Sequence, residues 1–274
     1  MDVDWAARGQ ELIADGEINA PMVDQALAWL AGRVPGARQV LDVGSGPGVA
    51  ACTLAELLPE ATVLAVDGSP ELLDLAAERA AQRGLGDRVR TRRTALPDGL
   101  ADLPPADLVW VSGVAHHMPD PAAAVRDLAA LVRHGGILAL REGGLPLRCL
   151  PSYADGGLFA RIQAVNDELA AGHAHPMGAI TAPRDWPVLL REAGLADVTS
   201  RTFLLDRPAP LDERTRDGLL RSLRTTCEML AGHLSGADLT RLDELTGDTG
   251  PESVRHRDDA FLLRAGTVHI GTRA

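Results

Sequence analysis

The stretch Val40-Leu41-Asp42-Val43-Gly44-Ser45-Gly46-Pro47-Gly48 constrains the chain most. An apolar run ends in an acid and alternating glycines, and the helix-forming segment Val49 to Leu57 follows at once. Glycine has no Cβ, so its backbone enters positive φ and approaches a ligand that any side chain would hold off. A buried strand therefore feeds a ligand-binding turn, and the turn opens a helix.

The next apolar run, Ala61 to Val66, stops at Asp67. In folds built this way, an acid closing the second strand accepts hydrogen bonds from ribose hydroxyls, so a nucleoside-bearing cofactor is expected. The nicotinamide fingerprint Gly-x-Gly-x-x-Gly/Ala fails, because counting from Gly44 puts Val49 in the third place. Asp42-x-Gly44-x-Gly46-x-Gly48 instead resembles the first motif of class I S-adenosylmethionine-dependent methyltransferases. Later segments extend the likeness. Ala106 to Ser112 runs into Gly113-Val114-Ala115-His116-His117-Met118-Pro119-Asp120-Pro121, similar to the "HH-x-x-D-P" loop after the family's fourth strand. Gly135-Gly136 then opens a fifth strand reaching Glu142. The resemblance is close from Arg38 to Glu142 and holds in outline elsewhere.

The resemblance implies an α/β fold: a Rossmann-like, mostly parallel seven-stranded sheet with helices on both faces and a helical cap. It also implies S-adenosylmethionine as cofactor and a residue-by-residue site. Gly44, Ser45, Gly46 and Gly48 would line the methionine and ribose portion, with Asp42 near the amino group. Asp67 would hold the ribose hydroxyls, Gly68 and Ser69 would touch adenine or ribose, and the Ser112 carbonyl would meet the amino group. The family often sets an acid against the adenine amino group. Thr94-Ala95-Leu96 stands there instead, offering a neutral acceptor, backbone contacts and a leucine for stacking.

Periodicity predicts helices over 5–14 and 22–31, the second with Pro21 in its first turn. Strands and helices then alternate: strand 38–43, helix 48–58, strand 62–67, helix 70–83, strands 88–93 and 107–112, helix 121–133, strand 136–142. Such alternation demands a parallel sheet with helices on both faces. Ser69-Pro70 reads as an N-cap and first-turn proline, Gly84 as a C-cap. Gly143-Gly144-Leu145-Pro146 reads as a break. Helices over 153–171, 183–193 and 212–246 follow, with extended runs over 197–206 and 259–270 forming an antiparallel pair. Four regions are expected: residues 1–35 as helices contributing to a cap, 36–142 as the cofactor-binding core, 143–196 as a substrate cap, and 197–274 as the last two strands with a helical insertion over 207–257.

Net charge is −11 over 274 residues, which works against a phosphate backbone as the main partner. The expected partner is a small methyl acceptor, with neither nucleic acid nor membrane. The basic run Arg88 to Arg93 reads as a solvated edge strand rather than an anion site. No lysine occurs, which excludes Schiff-base and phosphate-loop lysine chemistry. Cys52, Cys149 and Cys227 lack zinc or disulfide spacing, so reduced thiols in a cytoplasmic protein are expected. No export signal or membrane span is read.

Transfer from a sulfonium needs an aligned acceptor and excluded water; an O–H acceptor also needs its proton removed, work suited to histidine. His117 and His116 are the candidates, against a reading in which they only pack the loop. Glu142, the third candidate, would orient the acceptor or the cofactor amino group, or else bridge to Arg148. Arg148 and Arg161 would grip an acidic acceptor or lie on the surface. Tyr153, Phe159, Met177 and Trp186 would line an apolar pocket or form the cap's own core. His173 and His175 read as a polar loop rather than metal ligands. His134 reads as a helix cap, and His233, His256 and His269 join no constellation. The functional expectation is O-methylation of a small molecule in specialised metabolism. The alternatives are a cofactor-binding homologue that has lost or redirected transfer and, less favoured, an NAD-dependent oxidoreductase, which lacks its Tyr-x-x-x-Lys pair here.

Overall fold

A computed structural model describes residues 5–171 and 185–274. Seven strands form one sheet in the order β3-β2-β1-β4-β5-β7-β6: β1 Gln39–Val43, β2 Thr62–Asp67, β3 Val89–Arg93, β4 Ala106–Ser112, β5 Val132–Arg148, β6 Ala196–Arg207 and β7 Leu262–Thr272. The first five pair in parallel. β7 runs against both neighbours. Ser200 Oγ meets His269 Nδ1 at 2.8 Å while Thr202 meets Thr267, and Gly135 N donates to Arg273 O while His269 Nε2 reaches Glu142 O. The helices are α1 Trp5–Ala31, α2 Val49–Leu57, α3 Pro70–Gln82, α4 Pro121–Ala130, α5 Ser152–Asp155, α6 Leu158–Ala171, α7 Trp186–Glu192, α8 Glu213–Leu230 and α9 Gly236–Thr246.

The chain divides into two units. The first comprises Met1–Gly143, Thr181–Phe203 and Gly266–Ala274. Its core gathers apolar side chains from strand interiors, Leu41, Val43, Val66, Val109, Val111, Leu138 and Leu140, against Val125 and Leu128 of α4 and Leu189 and Leu190 of α7. A sheet covered on both faces needs such unbroken apolar strands. β3 lies at the edge with most of its arginine-rich length exposed, as its charge suits.

The second unit, Gly144–Ile180 and Leu204–Ala265, is tied by arginine forks. Arg216 Nη1 bonds the carbonyls of Val254 and Arg257, both at 2.7 Å, and Arg257 pairs with Asp259 at 2.8 Å. Arg161 grips Asp238 at 2.7 Å and the Gly156 carbonyl, so its fork is used within this unit, while Arg148 is exposed.

Several expectations change. The two amino-terminal helices are one, with Pro21 inside it. Proline removes a single ladder donor, and α1 is otherwise anchored. Asn19 Nδ2 donates to Asp15 O and Gln25 Nε2 to Pro21 O, and Gly16 lets the helix lie close to Val49. α4 ends at Ala130 and β5 begins at Val132, because a register shift between Ala106 and Leu108 absorbs Gly135-Gly136 into the strand. His134 therefore lies exposed on a strand and caps nothing. β5 also continues through Gly143 and Gly144, whose positive φ turns it without ending it. Helix α3 has both its expected ends: Ser69 Oγ accepts from Leu72 N, and Gly84 turns left-handed so that Leu85 N returns to Ala80 O. Tyr153 is 83% exposed, Phe159 is buried in the second unit and Trp186 packs on the core of the first. Met177, His173 and His175 lie outside the described residues. Among those described, no helix is long and apolar enough to cross a membrane.

Candidate active site

The glycine turn is clamped to β2: Gly44 N and Ser45 N both donate to Val66 O, at 2.8 and 3.0 Å. Gly44, Gly46 and Gly48 have φ of 71°, 51° and 73°. Their surroundings separate their roles. A Cβ at Gly44 would strike Val114, and one at Gly48 would stand 2.7 Å from Ala76 Cβ and 3.0 Å from its Cα. At Gly46 nothing lies within 4 Å. Two glycines thus serve packing and the middle one keeps a space open. Gly48→Ala is expected to cost about 2–4 kcal/mol of stability, from left-handed strain plus overpacking. Gly46→Ala should cost only the strain, about 1–2 kcal/mol, yet weaken the ligand more. Melting curves and binding titrations on both variants check this split.

Asp67 is held by the turn it faces. Its Oδ2 accepts from Gly46 N at 2.9 Å and its Oδ1 from Ser69 N at 3.0 Å. A cavity of about 380 Å³ opens here, within the usual range for small-molecule sites. Its floor is the carboxyl edge of the sheet, where Asp42 is the register partner of Trp110 and Ser112 that of Arg141. Paired residues on parallel strands share a face. Its other wall is α1, through Leu12, Asp15, Gly16, Asn19 and Val23, one face at helical spacing.

Asp42 is 2% exposed and its Oδ2 has no hydrogen-bond partner. Burial above all, then the Asp67 charge, pushes its carboxyl up to about 7, against the Ala51 N–H, which pulls it down. Trp110 Nε1 and Ser45 Oγ are also buried without partners. Arg141 Nε donates to Ser112 Oγ at 2.7 Å and its side chain lines the cavity. The set fits S-adenosylmethionine. Asp42 suits an ammonium or sulfonium, Arg141 and the Trp110 N–H suit a carboxylate, and Asp67 suits vicinal hydroxyls. Asp67→Ala should weaken the cofactor by about 1.5–3 kcal/mol, roughly ten- to a hundredfold. Unchanged affinity in a calorimetric titration would remove Asp67 from the site.

Of the cofactor residues expected from sequence, Asp42, Gly44, Ser45, Gly46, Asp67 and Ser112 line the cavity. The other six do not. Gly48 packs on α3, Ser69 caps that helix, Gly68 lies between Asp67 and the cap, and Thr94 N bonds Asp67 O. Ala95 is exposed, and Leu96 packs against the hydrophobic core.

His116 and His117 occupy a single helical turn, Ala115–His117, with ring centroids 3.9 Å apart. Neither ring lines the cavity. Glu142 is 4% exposed and saturated: Oε1 accepts from Val114 N and Ala115 N, and Oε2 meets His116 Nδ1 at 2.7 Å. Its partner is thus His116, not Arg148. His269, set aside on sequence, is 8% exposed and bridges Ser200 to the Glu142 carbonyl, and burial lowers its pKa. Asn19, Trp110 and Arg141 were also missed, although Trp110 and Arg141 fall in the strand ends that flank the expected site.

Residues 41–138 match a family model described as a methyltransferase domain. Nocamycin O-methyltransferase of Saccharothrix syringae is 35% identical over 191 residues, 64% of this chain and 65% of that protein. Ubiquinone biosynthesis O-methyltransferase of Xylella fastidiosa is 40% identical over 115 residues, covering 41% and 45%. The chain spans less than two thirds of the length of these relatives. In fold it resembles an O-methyltransferase family protein from Burkholderia thailandensis, with TM-score 0.54 and 19% identity over 96% of this chain and 58% of that one. Motif, sheet order and these likenesses agree: residues 41–138 are a methyltransferase domain, set in a fold shared with class I S-adenosylmethionine-dependent methyltransferases.

Proposed function

We propose that the protein binds S-adenosylmethionine in the cavity between the glycine turn and α1 and transfers its methyl group to a hydroxyl oxygen of a small molecule, in specialised metabolism. The observation carrying the cofactor half is the cluster of buried, unpartnered polar atoms, Asp42 Oδ2, Trp110 Nε1 and Ser45 Oγ, around the space at Gly46. When bound, the cofactor supplies an electrophilic methyl on a cationic sulfur. The chain aligns that methyl with the acceptor and excludes water.

The O-directed half rests on His116. Its Nδ1 donates to Glu142 Oε2, leaving Nε2 as the nitrogen that takes a proton. An imidazole nitrogen placed there can take a hydroxyl proton as the C–O bond forms. Two relatives named as O-methyltransferases agree with this choice. One observation favours the second reading, a cofactor-binding homologue without methyl transfer: neither histidine ring lines the cavity.

Calorimetric titration with S-adenosylmethionine and S-adenosylhomocysteine, with NAD and NADP as controls, tests the first half. Binding of the sulfur nucleosides alone is expected, and binding of a nicotinamide alone overturns the reading. Release of S-adenosylhomocysteine against a panel of phenols, enols and amines separates an enzyme from a silent binder.

A further inference from the structure

Asn19 occupies the interior of α1, where asparagine serves a helix less well than alanine. Its Oδ1 is buried and meets no hydrogen-bond donor. The orientation of the amide is fixed. Nδ2 donates to the Asp15 carbonyl at 2.7 Å, and a carbonyl accepts only from the nitrogen, so the oxygen is the atom turned the other way. Asn19 lies on the α1 face that walls the cavity also lined by Gly46 and Asp42. Gly16, one turn earlier, brings this face close: a Cβ there would stand 3.1 Å from Val49 Cγ2, at the start of α2 behind the glycine turn. A residue of low helix propensity that also buries an unmatched acceptor breaks two folding rules at one position, as chains do where a ligand supplies the return.

We propose that Asn19 is a cofactor-contacting residue whose Oδ1 accepts a hydrogen bond from an N–H or O–H donor of the S-adenosyl group, its ammonium or a ribose hydroxyl. This rests on the cavity being the cofactor site. The ligand is then gripped from two elements, the sheet edge through Asp42 and Asp67 and the amino-terminal helix through Asn19. Only a group presenting a donor on its helix-facing side satisfies both.

The test is calorimetric titration of the full chain and its Asn19→Leu and Asn19→Asp variants with S-adenosylmethionine, S-adenosylhomocysteine and 5′-methylthioadenosine, each variant also melted. Asn19→Leu is expected to weaken S-adenosylmethionine about tenfold or more. Asn19→Asp keeps an acceptor oxygen but loses the Nδ2 donor to the Asp15 carbonyl, and should bind more tightly than Asn19→Leu. A loss confined to the two amino-acid-bearing ligands assigns the ammonium; a loss shared by 5′-methylthioadenosine assigns the ribose. Parental affinity in Asn19→Leu overturns the proposal. So does an equal loss in both variants accompanied by a lowered melting temperature, which marks Asn19 as a packing residue. If the parent itself binds none of the three, the cofactor reading has failed, and the proposal with it.

Discussion

Replacing His116 with alanine is expected to lower turnover by about 10²–10⁴-fold, the usual contribution of a positioned general base, while leaving cofactor affinity near its parental value. The split follows from placement. His116 stands in the Ala115–His117 turn, outside the cavity lining, so its loss removes no contact around Gly46. Glu142→Gln discriminates further. Glu142 accepts three hydrogen bonds, from Val114 N, Ala115 N and His116 Nδ1. A glutamine has one accepting oxygen. If that oxygen keeps the backbone pair, its NH₂ faces the imidazole and favours the tautomer with the proton on Nε2, the wrong one for a base. Turnover should therefore fall in Glu142→Gln although His116 is intact. An unchanged rate in His116→Ala would remove it from the chemistry and leave the pair as a clamp on the loop.

What sequence could and could not disclose divides along the range of the interactions. The turn at Gly44 to Gly48, the cap at Ser69 and the carboxylate at Asp67 are set by residues within a few positions of one another, and spacing alone exposed them. The mostly parallel sheet with helices on both faces followed from strand and helix alternation, and its seven strands from the family likeness. Roles that depend on register did not emerge. Trp110 reads as one more apolar strand residue until β4 is laid beside β1 and it becomes the register partner of Asp42. His269 lies 127 positions from Glu142, and only the insertion of β7 between β5 and β6 brings them together. Sequence splits α1 because a proline usually marks a helix start, and the packing of α1 on its neighbours, close at Gly16, is invisible to periodicity. That error hid Asn19, whose importance depends on the helix being continuous across the cavity.

Asp42→Asn is expected to raise the stability of the protein at pH 8 and to lower its affinity for the cofactor. The carboxyl of Asp42 titrates near 7 in the folded chain, against an ordinary value of 3.8. A folded-state pKa raised above the unfolded one gives stability that is complete below the lower value. Between the two values the unfolded chain has released the proton while the folded chain retains it, so stability falls as pH rises. At about 1.36 kcal/mol per unit the loss is on the order of 4 kcal/mol by pH 8. Asparagine fills the same place without a charge to bury, so the variant should melt higher at pH 8, with the gain vanishing near pH 4. Binding runs the other way. An ammonium or sulfonium favours the ionised carboxylate, so the parent's affinity should climb as pH rises through 7, and the variant should bind roughly ten- to a hundredfold more weakly with no such climb. Melting at pH 4 and 8 with titration at pH 6 and 8 checks both halves. A variant less stable than its parent at pH 8 would mean that Asp42 Oδ2 has a partner inside the fold. A strand interior would be better served by a neutral side chain at this position; under the proposed function the charge is there to meet a cationic ligand.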